Sequence, residues 1–321
     1  YLVFNVTGNP GLAEYYRPFL LSLRDNLSSD APSRDVEFDI YCRTLSGFET
    51  EKLASKERNG SNGAPDKGVG PPFGLESQIG HTVTALKTLV SDLSGDGKEL
   101  RIILIGHSVG AYMIMEIISK LRRDMAVDEM ERKSDHTFPN VVGGICLFPT
   151  VTHLAQSSSG RVLEPLCLIP YFPFLVHCLV KLLTMLLPYA ALLYLVQFVT
   201  RMPLAAAEIT TTFLASPNGV YQALYMARDE IRQITIDKWD SDIWGAAHPA
   251  CTPRPKLFFY FGEQDHWVAN EARDQLIAAR AYSGAEGEEW KPRMEIDCKG
   301  IPHGFVIRHS EEVASKVAEW I

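Results

Sequence analysis

The 321-residue sequence predicts an α/β fold: a mostly parallel sheet with helices on both faces, interrupted by one inserted, apolar helical cap. Three observations carry this expectation. Short apolar runs alternate with stretches of helical periodicity along most of the chain. The pentapeptide Gly106-His107-Ser108-Val109-Gly110 joins one such run to the helix behind it. Between Pro149 and Pro255 the alternation stops, over a length too great for a single crossover.

Tyr1 to Val6 reads as a buried strand running into the turn cluster Thr7-Gly8-Asn9-Pro10-Gly11, and Ala13 to Leu27 as a helix. Val36 to Tyr41 alternates as a second strand. Residues 46–73 are rich in Gly, Asn, Ser, Lys and Pro and read as a mobile surface loop. Leu75 to Leu93 has helical periodicity at Ile79, Val83, Leu86, Leu89, Val90 and Leu93. Leu100 to Ile105 is the strand before the pentapeptide, Ala111 to Leu121 the helix after it, and Arg122 to Asp135 a charged continuation. Val141 to Phe148, Lys256 to Phe261 and Arg293 to Cys298 are further strands, with helices at Asn270 to Tyr282 and Ser310 to Ile321. This alternation implies parallel strands with right-handed crossovers. Residues 1–150 and 256–321 thus form the core and 151–255 the insert.

The balance of 46% apolar and 22% charged residues is that of a globular chain able to bury a large core. A net charge of −8 without a basic stripe argues against a nucleic-acid partner and against purely electrostatic attraction to anionic membranes. Six cysteines without paired spacing read as free thiols in a reducing, intracellular setting, with no disulfide and no zinc site. The N-terminus does not resemble a signal peptide. No HExxH, CxxC pair, Walker loop or GxGxxG cradle occurs, so neither a metal nor a nucleotide cofactor is expected.

A Ser between two glycines at a strand-to-helix corner is a nucleophile elbow. The turn leaves no room for a Cβ two residues before or after the Ser, and the following helix directs its positive end at any anion formed there. A Ser hydroxyl needs a base within hydrogen-bond reach, and the base needs an acceptor that fixes its tautomer. With chain order Ser, acid, His, the partners fall at later strand ends: Asp265 beyond Phe259-Tyr260-Phe261-Gly262, and His303 beyond Met294 to Cys298. Glu263 is the rival acid, and His266 and His309 are the rival bases; His107 is read as packing or orienting its neighbours. Two main-chain N–H groups should meet the oxyanion, each contributing roughly 3–4 kcal/mol. Val109 supplies one and Asn9, in the loop after the first strand, the other; Gly8 permits close approach and Pro10 has no N–H.

Gly8-Asn9-Pro10-Gly11, Tyr15-Tyr16-Arg17-Phe19, Leu75-Gln78-Ile79-His81, Gly106-His107-Ser108-Val109-Gly110-Ala111-Tyr112 and His303-Gly304-Phe305-Val306 together resemble the lipid-droplet-associated hydrolase family of the α/β-hydrolase superfamily. Thr7 stands where many relatives of the superfamily carry His or Pro. The resemblance implies a serine ester hydrolase acting on lipids, associated with the lipid-droplet or endoplasmic-reticulum surface, peripherally or monotopically, through an apolar segment. Two other readings keep the same residues: an acyltransferase, thioesterase or cyclase that diverts the acyl-Ser108, or a lipid-surface binding protein whose Ser, His and Asp are vestigial.

The apolar segment is residues 162–200, where Glu164 and Lys181 are the only formal charges and Pro170, Pro173 and Pro188 interrupt the runs. Neither run offers the roughly 20 uninterrupted apolar residues of a spanning helix. It is either a cap whose helices bury one another over the site, or a monotopic hairpin that dips into a lipid monolayer or bilayer surface. The two differ in the apolar surface they leave exposed.

Overall fold

The computed structural model describes residues 1–29, 36–50, 70–94, 100–131, 138–240, 243–244 and 254–321. Six strands form one sheet: β1 (Leu2–Val6), β2 (Asp39–Cys42), β3 (Arg101–His107), β4 (Asn140–Leu147), β5 (Lys256–Phe261) and β6 (Arg293–Ile296). Their order is β2-β1-β3-β4-β5-β6 and every neighbouring pair is parallel. The chain moves outward from β1 to β2, then returns past β1 and proceeds to β6. The order therefore reverses between β1 and β3, and the carboxyl ends of these two strands open the crevice where such sheets bind ligands.

The helices are α1 (Arg17–Ser29), α2 (Leu75–Leu93), α3 (Val109–Glu131), α4 (Ser158–Leu168), α5 (Phe172–Leu186), α6 (Tyr189–Thr200), α7 (Leu204–Ala215), α8 (Gly219–Gln233), α9 (Asn270–Arg280) and α10 (Ser310–Trp320). A 3-10 turn at Ala13–Tyr16 precedes α1, so the first predicted helix is divided. Pro18 explains the division, because it has no N–H to extend the α ladder through that turn. β2 begins three residues later than predicted, and β6 ends two residues earlier. Such ends are the least determined part of any element.

The sheet separates two cores by alternation. Leu2, Phe4 and Val6 of β1, with Ile102 and Leu104 of β3, face a core shared with α2, α3 and part of the insert. Val3, Ile103, Ile105, Ile145 and Leu147 point the other way, against Phe19 and Leu23 of α1 and Val313 and Val317 of α10. The central part of the predicted mobile loop, 51–69, and the end of the charged continuation, 132–135, lie outside the described residues. The loop's first flank is packed: Phe48 is fully buried and stacks near Phe213 of α7.

Helices α4 to α8 lie between β4 and β5. They attach to the carboxyl edge of the sheet, with Ser158 and Ser159 donating to the His266 carbonyl after β5, and Asn9 after β1 bonding α8. Pro173, Pro188 and Pro203 mark the starts of α5, α6 and α7, where a missing N–H costs no helical bond. Among the described residues no single helix is long and apolar enough to cross a membrane. Two bent pairs, α4 with α5 at 97° and α6 with α7 at 118°, reach that composition only together. The insert leaves large apolar side chains in solvent: Leu168, Tyr171, Met185, Leu186, Tyr194 and Phe198 are each more than 70% exposed. A self-buried cap would not leave such a face.

Candidate active site

Ser108 occupies the corner between β3 and α3 with φ of 56°, the left-handed region that side chains with a Cβ avoid. The glycines around it are sterically required. A Cβ on Gly106 would lie 2.3 Å from the Gly110 carbonyl oxygen, and one on Gly110 would lie 2.4 Å from that of Val6. The Ser108 N–H donates to Leu147 of β4 at 3.0 Å, which anchors the corner to the sheet.

The loops after β5 and β6 bring two side chains to this corner. His303 Nε2 lies 2.8 Å from Ser108 Oγ, and its Nδ1 lies 2.7 Å from Asp265 Oδ2. Asp265 is acceptor-only when ionised, so Nδ1 carries the proton and Nε2 is the acceptor for the Ser108 hydroxyl. Burial opposes the Asp265 charge, but the His303 bond and the Trp267 N–H, at 2.8 Å from Oδ1, outweigh it and hold the carboxyl below the usual carboxylate range. Buried supports fix both loops. Arg273 donates to the Gly262 and Glu263 carbonyls. Asp297 accepts from the Tyr260 hydroxyl at 2.7 Å and from the Ile301 N–H at 2.7 Å.

The rival groups are placed elsewhere. The Glu263 side chain is exposed, and His309 sits beside Glu312 near the start of α10. His266 lies with its ring 5.8 Å from that of His303, and burial and the neighbouring His303 push its pKa down. Among the described residues no group of three or more His, Cys, Asp or Glu is arranged to hold a metal ion.

The loop after β1 packs directly against the elbow. A Cβ on Gly8 would lie 3.1 Å from Cβ of Ser108, so glycine permits this approach. Among the described residues neither the Asn9 nor the Val109 main-chain N–H has an acceptor, whereas that of Gly8 donates to the Tyr16 hydroxyl at 2.7 Å. The Thr7 hydroxyl is buried without a partner.

Two residues near the site carry no individual signal in the sequence. Tyr16 Oη lies 2.6 Å from His107 Nδ1, and His107 Nε2 lies 2.8 Å from the His303 carbonyl oxygen. Burial and the nearby His303 push His107 down to about 3, so it stays neutral. Glu230 of α8 accepts from Asn9 Nδ2 at 2.8 Å, and burial pushes its carboxyl up to about 7. Tyr16 was visible only as part of the segment that follows the glycine turn. Glu230 lies in the polar stretch Arg228-Asp229-Glu230, which carries no motif spacing.

The family model described as lipid-droplet associated hydrolase matches residues 1–306. A lipid droplet-associated hydrolase of Mus musculus is 28% identical over 325 aligned positions, covering 100% of this chain and 84% of the relative. That of Gallus gallus is 29% identical, covering 98% and 83%. Among solved structures, a 2-hydroxy-6-oxo-6-phenylhexa-2,4-dienoate hydrolase from a Rhodococcus species superposes with a TM-score of 0.56 at 12% identity, covering 99% of this chain and 89% of that one. A haloalkane dehalogenase from Agrobacterium tumefaciens gives 0.55 at 12% identity, with the same coverages. The two neighbours carry different chemistries on one α/β-hydrolase fold, so these likenesses speak to fold alone.

Proposed function

The chain belongs to the lipid droplet-associated hydrolase family, and from that premise we propose that this hydrolase cleaves esters of apolar, lipid-like substrates through Ser108, His303 and Asp265. The single observation that supports this most strongly is the unbroken chain of short hydrogen bonds, 2.8 Å and 2.7 Å, from Ser108 Oγ through His303 to Asp265.

Ser108 Oγ attacks the ester carbonyl while His303 Nε2 takes its proton. Asp265 stabilises the imidazolium and holds its tautomer. The Val109 and Asn9 N–H groups receive the oxyanion, assisted by the positive end of α3. Collapse breaks the ester C–O bond, and His303 gives its proton to the departing alkoxide. Water then attacks the acyl-Ser108 with His303 as base, releasing the acid and restoring the hydroxyl.

Residues 151–255 act in this reading as a cap domain on a core of 1–150 and 256–321. Its exposed apolar face at residues 162–200 suits peripheral or monotopic contact with a lipid-droplet or endoplasmic-reticulum surface. The names of the relatives support that location. Hydrolysis of p-nitrophenyl esters of graded acyl length tests the substrate class: rates should rise from acetate to medium or long chains and vanish in Ser108→Ala. A free acid product is expected; an acyl group transferred to an added alcohol or amine in its place would overturn hydrolysis in favour of transfer.

A further inference from the structure

We infer that Glu230, on the inserted helix α8, is a positioning residue that holds the main-chain N–H of Asn9 toward the oxyanion, so that the insert completes the reaction site. This rests on the proposed role of Asn9. The Asn9 side-chain amide gives its hydrogens to α8, one to the Ala223 carbonyl at 2.9 Å and one to Glu230 Oε1 at 2.8 Å. Positions 223 and 230 are two helical turns apart on one face, so the two acceptors define a line along α8. Its Oδ1 is buried without a partner, so these two donated bonds alone set the orientation of the amide. On the opposite side the loop is held by the core, where the Gly8 N–H donates to Tyr16.

α8 is itself firmly mounted. Gln222 brackets Phe73, accepting from its N–H at 2.7 Å and donating to its carbonyl at 2.8 Å, and Asp229 accepts from the Leu75 N–H at 3.3 Å. Glu230 is 7% exposed, in a place where an apolar side chain would pack at lower cost. Its Asn9 bond gives the carboxyl a reason to be there. An N–H displaced by about 1 Å from the developing charge loses much of its effect, so a bond that fixes the loop is felt in the chemical step.

The test is the rate of Ser108 phosphonylation by an alkyl fluorophosphonate in the full chain. Glu230→Met removes the acceptor at similar volume, and Glu230→Gln keeps an oxygen there. E230M should lower the maximal labelling rate by about 10–100-fold with the half-saturating concentration changed less than about 2-fold, whereas E230Q stays within about 3-fold. In an Asn9→Ala background, which retains the main-chain N–H, E230M should have no further effect. If E230M does not fold by circular dichroism, N9A carries the same expectation from the other end of the bond. Wild-type labelling rates in E230M or N9A, equal losses in E230M and E230Q, or independent losses in the double variant would overturn the inference. Failure of the wild type to label at Ser108 would instead overturn the hydrolase reading beneath it.

Discussion

The Tyr16 hydroxyl donates to Nδ1 of His107 across 2.6 Å, which fixes the tautomer of the residue preceding Ser108. The direction follows from the far side of the ring, where Nε2 faces the His303 carbonyl at 2.8 Å and a carbonyl can only accept. The Tyr16 oxygen in turn accepts from Gly8. One buried relay thus joins the loop after β1, the elbow and the backbone of His303.

Tyr16→Phe should break this relay while preserving ring packing. It leaves the Gly8 N–H and His107 Nδ1 buried without partners, at about 1–3 kcal/mol each. We expect a stability loss of about 2–6 kcal/mol in urea denaturation and a several-fold slower labelling of Ser108. Wild-type values for both would contradict the relay's role.

His107 is held neutral, its pKa pushed down from 6.5 to about 3 by burial first and by His303 second. The unfolded chain takes up a proton below about pH 6.5 that the fold refuses until about pH 3. Stability is therefore retained above that window and falls as pH drops through it, by about 2 kcal/mol between pH 6.5 and 5. Unfolding free energies from urea titrations of wild type and His107→Gln at pH 7.5 and 5 should diverge by this amount; parallel behaviour would refute the assignment.

Asp265 and Glu263 lie two residues apart, yet only Asp265 meets His303. Asp265→Asn should lower kcat on a turned-over ester by roughly 10³–10⁴-fold with KM little changed, because the amide favours the wrong tautomer. Glu263→Gln should stay within about 2-fold. Comparable losses in the two would remove Asp265 from its proposed place.

The apolar face of the insert should act separately from the chemistry. A triple variant, Met185→Ser, Leu186→Ser and Phe198→Ser, removes three side chains that are 80%, 71% and 71% exposed. Binding to phospholipid-coated triolein emulsions should fall at least about 10-fold, given the apolar area lost. Labelling of Ser108 in solution should persist. Undiminished emulsion binding would show that this face is not the contact.

Much of the fold was legible because its signals are local. A glycine corner after an apolar run, and strands that end in turn residues, need only a few neighbouring positions to be read. His303 and Asp265 were locatable because strand ends in this topology converge on one edge. Glu230 was not, since its bond to Asn9 spans 221 residues and depends on which face α8 turns inward. The relay through Tyr16 spans 91 residues and is equally invisible to periodicity. The apolar run 162–200 was ambiguous for another reason: helices that pack on a protein and helices that face lipid have the same composition. The exposure of Leu168, Tyr171, Met185 and Phe198 shows an apolar face that the insert's own helices leave uncovered.

The most direct measurement is covalent labelling of the purified, folded chain by a fluorophosphonate, with peptide mapping of the adduct. A single stoichiometric adduct on Ser108 is expected in the wild type, none in Ser108→Ala, and strong slowing in His303→Ala. A folded wild type that resists labelling, or a Ser108→Ala variant that labels as fast, would contradict it.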